Sequence, residues 1–310
     1  MPRAFPRPRL RGSGGTAMTG GSGHRGGVAA AWMLFAVAVL CLMDACMKQL
    51  STHYPALQVA ALRGLVGLPL VLLWAGTTVG LRSLLRVHWP LHLTRGVLGV
   101  VFLSGFVLGL RELPMSTAYA ITFVGPLLVT AMAVPLLGEK VGPRRWAAIV
   151  AGLVGVLVVL RPGRGGVVSQ AGLYVLLATV CYAASVITVR MLAQRDSAQS
   201  LVFWFLAMVA VGAGLLAWPD WVPVRAGDAW LLAGIAVSGT LGQVALTHAF
   251  RLGEASLVAP LEYTALVWVV LLDLVIWHAL PDGMTWLGAA IIVASGLYLI
   301  RRERVVAARS

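Results

Sequence analysis

Six ionisable side chains fall inside long apolar runs of this sequence: Asp44, Lys48, Arg63, Arg95, Glu262 and Asp273. At bilayer depth such a group costs about 2.5–3.5 kcal/mol on insertion scales, so it faces a protein interior or a watery cavity and finds a partner there. Asp44 and Lys48 stand one helical turn apart and can pair on one face; Asp44 is also a candidate proton or cation site. Arg63 lies mid-run, always charged and forked, suited to an anionic substrate or to a buried carboxylate. Arg95 lies near the start of its run and is expected to snorkel toward the nearer membrane face, though it stays a pathway candidate. Glu262 and Asp273 are separated by eleven positions. At 100° per residue they return to nearly one helix face, about 16 Å apart along the axis, as two depths of one wall. Pro260 frees a backbone carbonyl just before Glu262, which could carry a proton. For each of these groups the alternative role is structural, as an ion pair within or between helices.

Other side chains fit the same chemistry. Tyr119, Phe123, Tyr182, Tyr263 and Trp268 could line a cavity and stack on a planar or cationic ligand, or could simply pack. Gln243 and His248 could bond a substrate or a neighbouring helix. Pro126 and Pro260 break helices near such a site. Trp218, Trp221, Trp230 and Trp277 read as interface-belt residues, and Gly105 and Gly109 permit close helix approach. His88 and His92 lack a third ligand, so no metal site is expected. Cys41, Cys46 and Cys181 lie in apolar runs as packing residues. No cofactor or ATP-binding motif occurs, and neither HExxH nor GxSxG, so the chain does not read as an enzyme. An intramembrane enzyme, or a transport-inert partner subunit, is the alternative.

These side chains need elements to hold them. The 310 residues are 59% hydrophobic and 11% charged; a soluble domain carries about 25% charged residues. The chain is therefore an all-α membrane protein in contact with the lipid bilayer. Ten spans are expected near Val28–Gln49, Ala56–Leu73, Leu91–Leu110, Met115–Leu137, Trp146–Leu160, Ala171–Thr188, Leu201–Trp218, Ala229–Phe250, Ala255–His278 and Thr285–Ile300. Residues 1–27, rich in Arg, Gly, Pro and Ser, are expected to be disordered, with Met18 a second start candidate. Signal-peptide cleavage is not expected, because the run that follows is long and carries Asp44 and Lys48. The net charge of +13 resides in the tails and between runs, with no aromatic-and-basic strip, so nucleic acid is not a partner. With the N-terminus inside, 17 of the 24 Lys and Arg fall on inner segments and 5 on outer ones. That asymmetry places both termini, including the 303–310 tail, in the cytoplasm of a bacterial inner membrane. A homodimer is compatible with the sequence.

The chain also repeats itself. A shift of 140 carries Arg111 onto Arg251, Val129 onto Val269, Trp146 onto Trp286, Leu157 onto Leu297 and Arg161 onto Arg301, and Cys41 onto Cys181. The copies are residues 28–162 and 169–302. Five spans per copy is an odd number, so the second copy enters the membrane inverted. Inverted repeats around a central cavity are a recurring plan of secondary transporters, which alternate access to one site. The substrate would be a small molecule.

Leu113-Pro114, Ser116, Ala118, Ala120, Pro126, Leu137-Gly138-Glu139, Trp146, Gly152 and Arg161-Pro162-Gly163 resemble the EamA-type transporters of the drug/metabolite transporter superfamily. In the second copy Ala255-Ser256, Ala259-Pro260, Glu262-Tyr263, Trp268, Pro281-Asp282, Trp286, Gly288-Ala289 and Ser295 to Tyr298 carry the likeness. The resemblance implies ten helices in two inverted five-helix bundles, and movement or export of a small metabolite such as an amino acid, a nucleoside or cofactor, or an organic ion. It departs where Ala279, after His278, replaces the glutamate that usually follows glycine in the second copy's corner.

Overall fold

The computed structural model describes residues 20–85, 87–138, 142–160, 169–192, 195–252 and 258–307. Among them every regular element is helical: α1 Gly20–Leu50, α2 Ala56–Thr78, α3 Trp89–Glu112, α4 Met115–Thr122, α5 Gly125–Leu137, α6 Pro143–Leu160, α7 Gln170–Leu192, α8 Ala198–Ala217, α9 Ala229–Leu252, α10 Ala265–Trp277 and α11 Gly283–Ala307. A 3-10 helix, Ala259–Thr264, leads into α10. These form ten spans long and apolar enough to cross a membrane, with α4 and α5 sharing the fourth. The expectations for residues 1–19, for the Glu139-Lys140 corner, for Arg161-Pro162-Gly163 and for Ala255-Ser256 lie outside the described residues.

Most helices run past the expected apolar windows. α1 begins at Gly20 rather than Val28, because each residue added to a formed helix gains a backbone bond without a new nucleus. The fourth span breaks between Thr122 and Gly125. Pro126 has no N–H for the Thr122 carbonyl four residues back, so the α ladder cannot close there. The ninth span is 3-10 up to Thr264 and α-helical after it.

The shift of 140 holds at the level of whole elements. It carries Trp89–Glu112 onto Ala229–Leu252 and Gly125–Leu137 onto Ala265–Trp277, end to end. The left-handed cap Gly138, φ 70°, falls on His278, φ 52°. The first two helices of each copy need two residues more, since Leu50 corresponds to Leu192. The Cys41–Cys181 match is therefore out of register with the helices that carry it.

Packing between the copies is reciprocal. α1 packs on α9 and its counterpart α7 packs on α3, while α2 meets α8, α6 meets α11 and α4 meets α10. Exchanging the two copies turns α1–α9 into α7–α3 and returns α2–α8 and α6–α11 to themselves, as a two-fold axis requires. Small residues let the backbones meet. A Cβ at Gly155 would stand 3.0 Å from the Gly288 carbonyl oxygen, and one at Gly288 2.7 Å from that of Gly155. Gly105 and Gly109 play this part between α3 and α7, where Gly105 faces the Tyr174 carbonyl.

Candidate functional site

Between the two bundles lies a cavity of about 450 Å³. Its walls come from the middle of α1, α3 and α9, the C-terminal halves of α2 and α7, the N-terminal half of α8 and the two breaks at Thr122–Pro126 and Glu262–Ala265. The hollow therefore lies toward the face that carries the N-terminus of α1. Each helix presents one stripe. On α1 it is Met33, Val37, Leu40, Cys41 and Asp44; on α2 it is Arg63, Gly67, Val71 and Trp74. Both stripes follow the 3.6-residue period.

At the inner end the Tyr119 hydroxyl donates to Asp44 Oδ2 at 2.5 Å. Arg63 faces the same carboxylate from α2, at longer range. This trio joins α1, α2 and α4 in one polar centre. Glu262 is exposed into the hollow, with Tyr182 and Tyr263 facing it. A continuous band of rings borders the space. Phe102 meets Tyr182 at 5.3 Å and Phe106 at 6.1 Å, Phe106 meets Tyr119 at 6.0 Å, Tyr119 meets Phe123 at 6.1 Å, and Phe123 meets Tyr263 at 5.2 Å between centroids. Pro126 and Gln243 also line the cavity, whereas His248 stacks on Trp32 at 5.3 Å, outside it.

Arg95 does not snorkel. Its guanidinium turns inward, donates from Nη1 to the Leu201 carbonyl at 2.7 Å and lies 4.8 Å over the Phe205 ring. Its Nε is buried without a hydrogen-bond partner. Interior carbonyl and ring contacts hold it where a membrane surface would offer only water, and it borders the hollow.

Three expected residues lie away from the cavity. Lys48 does not pair with Asp44; its Nζ donates to the Leu113 carbonyl at 2.5 Å and lies 4.8 Å over the Trp277 ring. That carbonyl ends α3, where Pro114 supplies no N–H, and a cation completes it. Asp273, fully buried, accepts from Met115 N at 2.9 Å, Ser116 N at 2.8 Å and Ser116 Oγ at 2.7 Å. It caps α4 across the repeat boundary. The expected common wall with Glu262 therefore fails: Glu262 lies on a 3-10 turn, which breaks the α-helical register to Asp273. Trp268 is 38% exposed and faces outward.

The opposite end of the molecule is tied shut. Besides Lys48 and Asp273, the Tyr54 hydroxyl donates to Asp228 Oδ2 at 2.6 Å and accepts from Arg225 N at 2.9 Å. The Gln58 amide bonds Val222 in both directions, at 2.6 and 2.9 Å. On the hollow's own face His92 Nε2 meets Asp196 Oδ2 at 2.8 Å, and Asp196 also takes the His88 N–H at 3.2 Å. Sequence reasoning missed Trp74, Phe102, Phe106 and Phe205. Arg95, Phe102 and Phe106 recur at spacings of seven and four, so the helix face marked by a buried charge was the available signal.

Known proteins match the chain across both copies. The EamA-like transporter family model matches residues 27–161 and again 170–302. A riboflavin transporter of Rhizobium johnstonii is 35% identical over 71% of this chain and 73% of its own. A pseudopaline exporter of Pseudomonas aeruginosa is 30% identical over 85% of this chain and 92% of its own. An S-adenosylmethionine uptake transporter of Rickettsia prowazekii is 27% identical over 88% and 92%. A solved crystal structure, 22% identical, covers 87% of this chain and 96% of that one with a TM-score of 0.60, a likeness of fold. With a duplicated helical frame around one polar hollow and a family match across both copies, the chain belongs to the EamA-like transporter family.

Proposed function

We propose that this protein is a secondary transporter that moves a small metabolite by alternating access, with the Asp44–Tyr119–Arg63 centre at the closed inner end of its path. One observation carries the reading: a hollow of about 450 Å³ ends against that centre, while the far end is closed by the Met115–Asp273, Tyr54–Asp228 and Gln58–Val222 bonds between the two copies. Access from the other face needs those bonds to part and the near end to close. The repeat relation offers the mirrored arrangement at similar energy. The excess of Lys and Arg on one set of loops supports an orientation with both termini cytoplasmic in a bacterial inner membrane, so that the hollow faces the cytoplasm. The path lies within one chain; a homodimer would hold two of them. The relatives named above carry both uptake and export in their names, and either direction suits this geometry. A coupling proton has two candidate carriers, Asp44 and Glu262, both bordering the hollow.

The test is flux in liposomes holding the purified protein. Flavins, S-adenosyl compounds and amino acids are presented to one side, and counterflow of label is read on the other. At least one class should exchange with wild type. The Asp44→Asn variant should exchange it at least tenfold more slowly, since it removes a charge from the centre while leaving a shape that folds. Equal exchange by the variant rejects the assigned centre, and no exchange of any class by wild type rejects transport.

A further inference from the structure

Four charged side chains border the hollow, and they divide into two kinds. Asp44 and Arg63 face each other and offset one another. Arg95 and Glu262 do not. Among the described residues no carboxylate faces Arg95, whose Nε is buried and unbonded, and no cation faces Glu262. A guanidinium that borders the hollow, is bonded to one carbonyl and faces no carboxylate among the described residues suits an oxyanion. A carboxylate set among Tyr182, Tyr263 and the neighbouring Phe123 is the counterpart for a cation, which both the charge and the ring faces attract.

The two sites lie apart. Arg95 and Phe102 stand seven residues apart on α3, which puts them on one face about 10 Å apart. Phe102 packs on Tyr182, which faces Glu262. The ring band lies between the charges. We infer that the hollow takes an elongated amphoteric metabolite, with an oxyanion on Arg95, a flat ring against the aromatic band and a cationic group at Glu262. An α-amino acid, with both charges on one carbon, reaches only one end. The inference rests on the transport reading above, because it names what fills that same cavity.

The experiment uses purified full-length protein in detergent and three probes on one rigid core. They are 4′-(aminomethyl)biphenyl-4-carboxylate, biphenyl-4-carboxylate and 4-(aminomethyl)biphenyl, with affinity read by calorimetry. The two-ended probe should bind about ten- to a hundredfold tighter than either one-ended probe, the range expected for one charged hydrogen-bonded contact. Arg95→Gln should reduce the two-ended probe to the affinity of the amine alone and leave the amine's own binding unchanged. Glu262→Gln should do the converse. Arg95→Lys, which keeps the charge and loses the fork, should fall between. Equal affinity for all three probes, no binding of any of them, or variants that weaken all three alike would each overturn the inference. Charge-selective binding without flux in liposomes would instead overturn the transport reading alone, and flux without charge-selective binding only this inference.

Discussion

The two halves of the molecule share a frame and differ in their chemistry. Helices α5 and α10 match end to end under one shift, down to the left-handed residue that closes each. Yet Thr122 and Ala133 in the first copy stand where the second has Glu262 and Asp273. One of those carboxylates borders the hollow and the other binds the copies together. Symmetry of the backbone supplies two mirrored closures. Asymmetry of the side chains places unlike charges at different points around the hollow, and under the proposed transport this order predicts that a substrate enters with one orientation. Bundling constrains the apolar surface of every span, whereas the few polar groups are free to diverge once each has a partner.

The sharpest way to break this comparison is to remove the carboxylate that only the second copy has. Asp273→Ala leaves the Met115 and Ser116 N–H groups without their acceptor and should cost about 2–4 kcal/mol. The melting temperature in detergent and the yield of folded protein should both fall sharply, whereas Ala133→Ser at the matching position should change little. Next comes Glu262→Thr, which gives the second copy the residue of the first. Flux should fall at least tenfold, about 1.4 kcal/mol in the barrier, with the melting temperature within a few degrees of wild type. Gly155→Val probes the shared frame instead. It forces side chain into the α6–α11 contact and should cost about 1–3 kcal/mol, read as a lower melting temperature. The smallest effect concerns the caps. His278 occupies a left-handed conformation that Gly138 adopts freely. His278→Gly should stabilise the protein by up to about 1 kcal/mol, a small rise in melting temperature.

The frame was legible because membrane spans and repeats are written in composition and spacing. An apolar run long enough to cross the bilayer, and almost free of charge, has little else to be but a span. A constant shift over the last three spans of each copy survives even where few identities do. The site was legible in part. A buried charge is conspicuous by its cost, which is why Asp44, Arg63, Arg95 and Glu262 stand out in the bare sequence. Their partners were not legible. Lys48 lies one turn from Asp44 but bonds the end of α3, and Asp273 lies eleven residues from Glu262 but serves another helix. Spacing along one helix says which groups share a face. It says nothing of the carbonyls and N–H groups that a proline-broken neighbour leaves open. The 3-10 turn at Ala259–Thr264 shifted the register by a local break that periodicity alone does not reveal.

Transport by alternating access requires that the centre of the hollow open in turn to both faces of the membrane. Thr122, at the α4–α5 break, lines the hollow. In a protein with Cys41, Cys46 and Cys181 changed to serine, Thr122→Cys can be labelled in sealed vesicles by a membrane-impermeant maleimide applied to one face at a time. Alternating access predicts labelling from both faces, faster from the face that bears the N-terminus, and slowed from both by a transported substrate. Labelling from one face alone, unchanged by any substrate that the protein exchanges, would contradict it.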